Sequence, residues 1–277
     1  MENYKNRLLS VSSKIDSIDE LINKSALLAK RYEAGVTLMY IKEEHLFELP
    51  IFSNKEESLE EINSFLREKL KSKGLEDWAI LVYDGDIIEH IKIEALRENS
   101  LLIVNDLDTS LDDLAKLGFN LFTLKPKALH KYKRALISLD STYTKEEGID
   151  FALSFIPDAK YKCYMNYSLL VDVLEPGIDP ILGGLTPNLI VESDTKIIEE
   201  LKKSFDKLCE KRGIKGIFKV DSVSLAKDTL ELIKKEEAEF LALIVEDTNS
   251  PFFDEAKEIL KSSPIDTLMV FNSNFKE

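Results

Sequence analysis

An α/β fold of two tandem units, each a parallel sheet covered by helices on both faces, is predicted by three observations. Short apolar runs alternate with amphipathic, capped segments along the chain, so strand and helix periodicities succeed one another. The runs are apolar at consecutive positions rather than at every second one, as in strands buried on both faces. The strand–helix series then begins again after a polar, basic stretch at 125–134 that contains Pro126 and reads as a linker. A length of 277 residues suits one or two domains, and the restart sets their expected bounds at 1–127 and 128–277.

In the first unit, residues 7–11 read as a strand. Ser17 and Glu20 then have the spacing of a capping box, with Ser17 as N-cap. Ile18, Leu21, Ile22, Ala26 and Ala29 follow at helical spacing and give one apolar face. Residues 36–41 form the next strand, bounded by Gly35 and by Lys42, Glu43 and Glu44. Ser58 and Glu61 make a second capping box, opening a helix whose expected apolar face is Leu59, Ile62, Phe65 and Leu66. Trp78 heads a strand at 79–83, and Asp84, Gly85 and Asp86 signal a turn. A helix at 87–97, a strand at 101–104, a short helix at 110–117 and a strand at 119–124 complete the unit.

The second unit reads as strand 135–139, helix 145–155 and strand 160–166. A helix at 194–212 carries Ile197, Ile198, Leu201, Phe205 and Leu208 on one face. Strand 216–220, helix 225–235, strand 240–245, helix 254–261 and strand 267–271 follow. Residues 9–12 match residues 137–140 at a shift of 128, and residues 102–106 match residues 243–247 at a shift of 141. The difference requires an insertion, for which the Pro/Gly-rich stretch 175–187 is the candidate. These matches predict a duplication.

Composition narrows the function classes. Hydrophobic residues make up 44% and charged residues 32%, the balance of a globular chain. The net charge of −14 is evenly spread, since residues 1–127 hold 17 basic and 24 acidic residues and residues 128–277 hold 20 and 27. Uniform negative charge opposes nucleic acid and anionic membranes by long-range repulsion. The two cysteines, Cys163 and Cys209, have no CxxC spacing and are expected as reduced, buried thiols rather than a disulfide framework. Neither a secretory signal nor a run of roughly 18 apolar residues is present. The expected location is cytoplasmic.

On these residues the chain resembles the universal stress proteins of tandem type. The resemblance rests on residues 134–140 and 256–264 of the second unit, and on the helix and strand at 21–40 and the Gly85-Asp86 turn of the first. It implies five strands per unit in the order 3-2-1-4-5, doubly wound, with a ligand cleft where the first and fourth strands diverge. It also implies association around the last strands, 119–124 and 267–271, because a bare apolar edge is a liability that pairing removes. The two units are therefore expected to pack as an intrachain pseudo-dimer, and a further homodimer is compatible with the same reading.

Members of the resembled family that bind ATP carry a Gly-x-x-Gly segment after the fourth strand and a Gly-Ser or Gly-Thr at the last helix. Glycines let backbone N–H groups approach phosphates. Here the corresponding stretches, 105–113 and 246–255, hold no glycine and four acids each, with Phe253-Asp254 where Gly-Ser would stand. Acids at a helix N-terminus occupy electrostatically the place of a phosphate. Neither unit is expected to bind ATP in the family's usual way, and no cofactor is expected.

Asp140 is the one candidate cofactor-binding residue. It ends the first strand of the second unit, where nucleotide-binding relatives place an aspartate near the base, although an ordinary helix-approach or turn carboxylate is the favoured reading; its counterpart at the shift of 128 is Ser12. The Asp106-Leu107-Asp108-Thr109 segment has the Asp-x-Asp spacing of a phosphatase motif but follows the fourth strand rather than the first. A solvated acidic loop fits it better, and a Mg²⁺ site through these acids has no support from spacing. His45, His90 and His130 show no ligand spacing, and Gly183-Gly184 reads as flexible backbone. No catalytic and no metal residue is assigned. The expectation is a non-catalytic stress-response regulatory protein with an unknown protein partner; the alternative is an adenine nucleotide or other small molecule bound near Asp140.

Overall fold

The computed structural model describes residues 6–42, 58–107, 110–125, 132–141, 146–167, 187–220 and 224–275. Glu43, Glu44, His45, Asp108, His130, the middle of the linker stretch and Gly183-Gly184 with the rest of the insertion before Pro187 lie outside these residues. The elements alternate as the apolar periodicity demands. They are β1 (Arg7–Ser12), α1 (Ile18–Tyr32), β2 (Gly35–Lys42), α2 (Leu59–Ser72), β3 (Ala79–Asp84), α3 (Ile87–Arg97), β4 (Ser100–Asn105), α4 (Leu111–Lys116) and β5 (Leu121–Thr123). The second half continues as β6 (Arg134–Leu139), α5 (Glu147–Phe155), β7 (Lys160–Tyr167), α6 (Pro187–Arg212), β8 (Lys215–Val220), α7 (Leu225–Lys235), β9 (Phe240–Val245), α8 (Phe252–Ser262) and β10 (Asp266–Phe271).

The strands form one ten-stranded sheet in the order β3-β2-β1-β4-β5-β10-β9-β6-β7-β8. Each half therefore has the 3-2-1-4-5 order, but the expectation of two separate five-stranded sheets is corrected. β5 and β10 would each end a half-sheet with a row of unpaired backbone groups, and they satisfy one another instead. They pair antiparallel, Thr123 with Thr267, Phe122 with Leu268 and Leu121 with Met269, while the other neighbours are parallel.

Strand side chains alternate between two cores. One face gathers Leu8, Leu38, Leu102, Phe122, Ile137, Cys163, Ile244 and Leu268 under α1, α2, α5 and α6. The other gathers Leu9, Met39, Ile103, Leu121, Leu136, Tyr164, Leu243 and Met269 under α3, α4, α7 and α8. Both cores run through the two halves. Phe122 of β5 meets Phe155 edge-on at 4.9 Å and lies 6.2 Å from Phe240, and Tyr32 of α1 stacks on Phe151 at 5.5 Å. A polar cluster crosses the same junction. Asp266 accepts the Lys125 backbone N–H at 2.8 Å and the Tyr132 hydroxyl, while the buried Lys24 ammonium donates to Tyr132 at 2.6 Å and lies 3.6 Å from Asp266. Burial pushes the Lys24 ammonium down and the Asp266 carboxyl up, each opposed by its partners.

The alternation also corrects the internal matching. At a shift of 128, Leu9 and Val11 fall on Ile137 and Leu139, which face the opposite core; at 141, Ile103 falls on Ile244, again on the other side. A one-residue slip exchanges the faces of a strand, so these sequence matches do not pair spatially equivalent positions. Strand order repeats between the halves; the matched residues do not.

Three local expectations change. α6 begins at Pro187, seven residues before the expected start, because proline suits the first turn of a helix, where its missing N–H costs nothing. Ser58 closes its capping box with Glu61, but Ser17 makes no cap bond to α1, its hydroxyl being drawn elsewhere. On α2 the buried stripe is Ile62, Leu66 and Leu70, with Leu59 and Phe65 exposed. Trp78 is buried at the head of β3.

Candidate functional site

In an open doubly wound sheet, ligands enter where adjacent strands send their following helices to opposite faces. The two such places here lie between β1 and β4 and between β6 and β9. At both, a carboxylate and a serine are hydrogen-bonded across the gap.

Between β6 and β9 the carboxylate is Asp140, which β6 delivers at its C-terminal end and which is only 1% exposed. Its backbone N–H donates to the Ile244 carbonyl at 3.0 Å, continuing the ladder. Its Oδ2 accepts the Ser250 hydroxyl and, at 3.4 Å, the Glu246 N–H. The start of α8 is satisfied from within. Ser250 Oγ accepts the Phe252 N–H at 3.2 Å, the Ser250 carbonyl accepts the Phe253 N–H at 2.9 Å, and Asp247 accepts the Asn249 N–H at 2.7 Å. Phe253 is buried 5.9 Å from the ring of Phe271, and Asp254, 87% exposed, pairs with Lys257 at 2.7 Å. The amides that a phosphate would need are thus engaged by oxygens of the loop itself.

Between β1 and β4 the carboxylate comes from the other strand. Asp106 follows β4 and is 8% exposed; its Oδ2 accepts the Ser17 hydroxyl and lies 3.1 Å from the Ser12 hydroxyl at the end of β1. That hydroxyl is shared with the Lys14 carbonyl at 2.9 Å and accepts the Lys14 N–H at 3.0 Å. Asp106 Oδ1 is buried with no hydrogen-bond partner among the described residues. Burial pushes the Asp106 carboxyl above its ordinary value, opposed by Ser17, Ser12 and the Lys14 charge. The five residues that matter here, Ser12, Ser17, Asp106, Asp140 and Ser250, stand 89 to 110 positions apart in their pairs, so no local spacing links them. Asp106 was singled out in the sequence only through its Asp-x-Asp spacing, and Asp108 of that motif lies outside the described residues.

The remaining candidates stay apart from these gaps. His90 stacks on Tyr83 at 4.4 Å and its Nε2 lies 3.2 Å from the Asp84 carbonyl. Cys163 and Cys209 are free and buried. A groove of about 720 Å³ opens at the other end of the strands, lined by Arg134, Lys160, Tyr161, Lys162, Arg212 and Lys215 among others. Among the described residues no group of three or more His, Cys, Asp or Glu side chains could hold a metal, and no helix is long and apolar enough to cross a membrane.

No family profile and no curated protein matches the sequence. Solved structures do match the fold. A functionally unknown protein from Pseudomonas aeruginosa PAO1 superposes with a TM-score of 0.62 at 10% identity, over 96% of this chain and 92% of that one. A protein of Pseudomonas aeruginosa UCBPP-PA14 described as a universal stress protein gives the same TM-score and identity, over 96% and 93%. A universal stress protein from Archaeoglobus fulgidus DSM 4304 gives 0.55 at 12% identity, over 97% of each chain. The chain has the fold of the universal stress proteins, carried through both halves.

Proposed function

We propose that this chain is a cytoplasmic, two-domain stress-response regulatory protein of the universal stress type, divided near residue 127, that acts through contacts with a protein partner and neither catalyses a reaction nor binds ATP in the family's usual way. The supporting observation is the Asp–Ser hydrogen bonding that spans both strand gaps. The Asn249, Ser250, Phe252 and Phe253 amides are turned onto Asp247 and Ser250 rather than left open. A polyphosphate entering there would have to break these bonds and approach Asp140, Asp247 and Asp254, which repel it. The alternative, an adenine nucleotide beside Asp140, would need the Ser250 bond opened first. The acidic net charge of −14 weighs against a nucleic-acid partner.

Native mass spectrometry of the freshly purified full chain, followed by titration with Mg-ATP, tests this. No retained adenine nucleotide and no saturable binding is expected; near-stoichiometric ATP or AMP would overturn it. Cross-linking in cells under stress is expected to recover a protein adduct.

A further inference from the structure

Cys163 lies in β7 and Cys209 near the end of α6, both in the core beneath α5 and α6. The register of β7 and β8 sets Cys163 directly beside Gly216. α6 packs onto that spot. A Cβ on Gly216 would come within 2.7 Å of the Phe205 ring and 3.1 Å of Cys209 Sγ. The missing side chain lets the helix settle onto the sheet, which brings Cys209 Sγ against the side chain of Cys163. The two thiols act on one another there, which holds Cys209 below the ordinary thiol value, while the same neighbour and burial push Cys163 above it. The groove at the N-terminal ends of β6, β7 and β8 is lined by Tyr161, Lys162, Arg212 and Lys215, the chain neighbours of this pair. Neither Cys163 nor Cys209 lines it, and they are 0% and 3% exposed, so a small neutral oxidant reaches the pair as α6 opens locally from β7.

We propose that Cys163 and Cys209 form a dithiol modification site that hydrogen peroxide closes reversibly to an intrachain disulfide. In the first step the Cys209 sulfur attacks one peroxide oxygen; an S–O bond forms, the O–O bond breaks, and the departing oxygen leaves as water with the Cys209 proton. In the second, the Cys163 sulfur attacks Cys209; the S–S bond forms, the S–O bond breaks, and the hydroxyl leaves as water with the Cys163 proton. Two thiols are oxidised by two electrons and one peroxide is reduced to two waters. The closed bond joins α6 to β7, beside the Arg212 pairs to Glu146 and Asp150 that hold the end of α6 in the reduced form.

The full chain, kept folded as judged by circular dichroism, is exposed to hydrogen peroxide; thiols are then counted under denaturing conditions and the intact mass is measured. Loss of both thiols, a mass lower by two hydrogens, a linked Cys163–Cys209 peptide and recovery with dithiothreitol are expected. Cys209→Ser is expected to abolish the mass loss, with Cys209→Ala as the second variant should the serine not fold. An unchanged thiol count, addition of oxygen without the linked peptide, or a disulfide between chains would overturn the proposal.

Discussion

Ser250 stands 110 positions after Asp140, yet its hydroxyl donates to that carboxylate across the gap between β6 and β9. The same oxygen accepts the Phe252 N–H, so one serine both ties the gap and takes up the first N–H of α8.

Ser250→Ala removes both roles. The loss of a hydrogen bond to a buried carboxylate and of a helix-start acceptor should destabilise the chain by about 1–3 kcal/mol. Urea unfolding is expected to show a lower midpoint with an unchanged slope.

Asp106 predicts a pH dependence. Its carboxyl is raised above the ordinary 3.8 by burial, with the Ser17 and Ser12 hydrogen bonds and Lys14 opposing. A raised carboxyl holds its proton more tightly in the folded chain than in the unfolded one. Its contribution is fully present below the unfolded value and is lost as pH rises through the folded value. Asp106→Asn does not titrate, so the stability of the natural chain minus that of the variant should fall from pH below 3.8 towards neutrality. Guanidinium titrations at several pH values measure it, and a difference that grows with pH would contradict the assignment.

Lys24 belongs to the buried cluster that joins the halves. Lys24→Met leaves Asp266 with Tyr132 and the Lys125 N–H but no cation, and breaking a buried pair costs about 3–5 kcal/mol. Tyr132→Phe removes two hydrogen bonds, to Asp266 and from Lys24, but leaves the ion pair, and should cost less, about 1–3 kcal/mol. The order of the two denaturation midpoints checks the cluster.

Phe122 carries the core across β5 and β10, and Phe122→Ala is expected to cost about 3–5 kcal/mol through the cavity it leaves. The chain has one tryptophan, Trp78, buried in the first half. Its fluorescence and far-ultraviolet circular dichroism should report a single coincident transition in the natural chain, as one continuous sheet requires. In Phe122→Ala the two probes are expected to separate.

The amino-acid sequence by itself determined the succession of elements. Apolar runs such as those ending at Val245 and Phe271, and the Ser58–Glu61 box, act over a few residues, where backbone sterics and capping decide the outcome. It also placed acids and no glycine after β4 and β9, which bears on phosphate whatever the packing. Tertiary structure decided the rest. Ser17 has the spacing of a cap, but its hydroxyl is closer to Asp106, a partner 89 positions away that no local pattern reveals. Matching residues 9–12 to 137–140 looked sound in letters and failed in space, because a strand's faces are fixed by the cores on either side and not by residue similarity. The contact of Cys163 with Cys209 depends on a glycine in a third element, and the single sheet depends on two strand edges that satisfy each other's backbone groups only once both halves are folded.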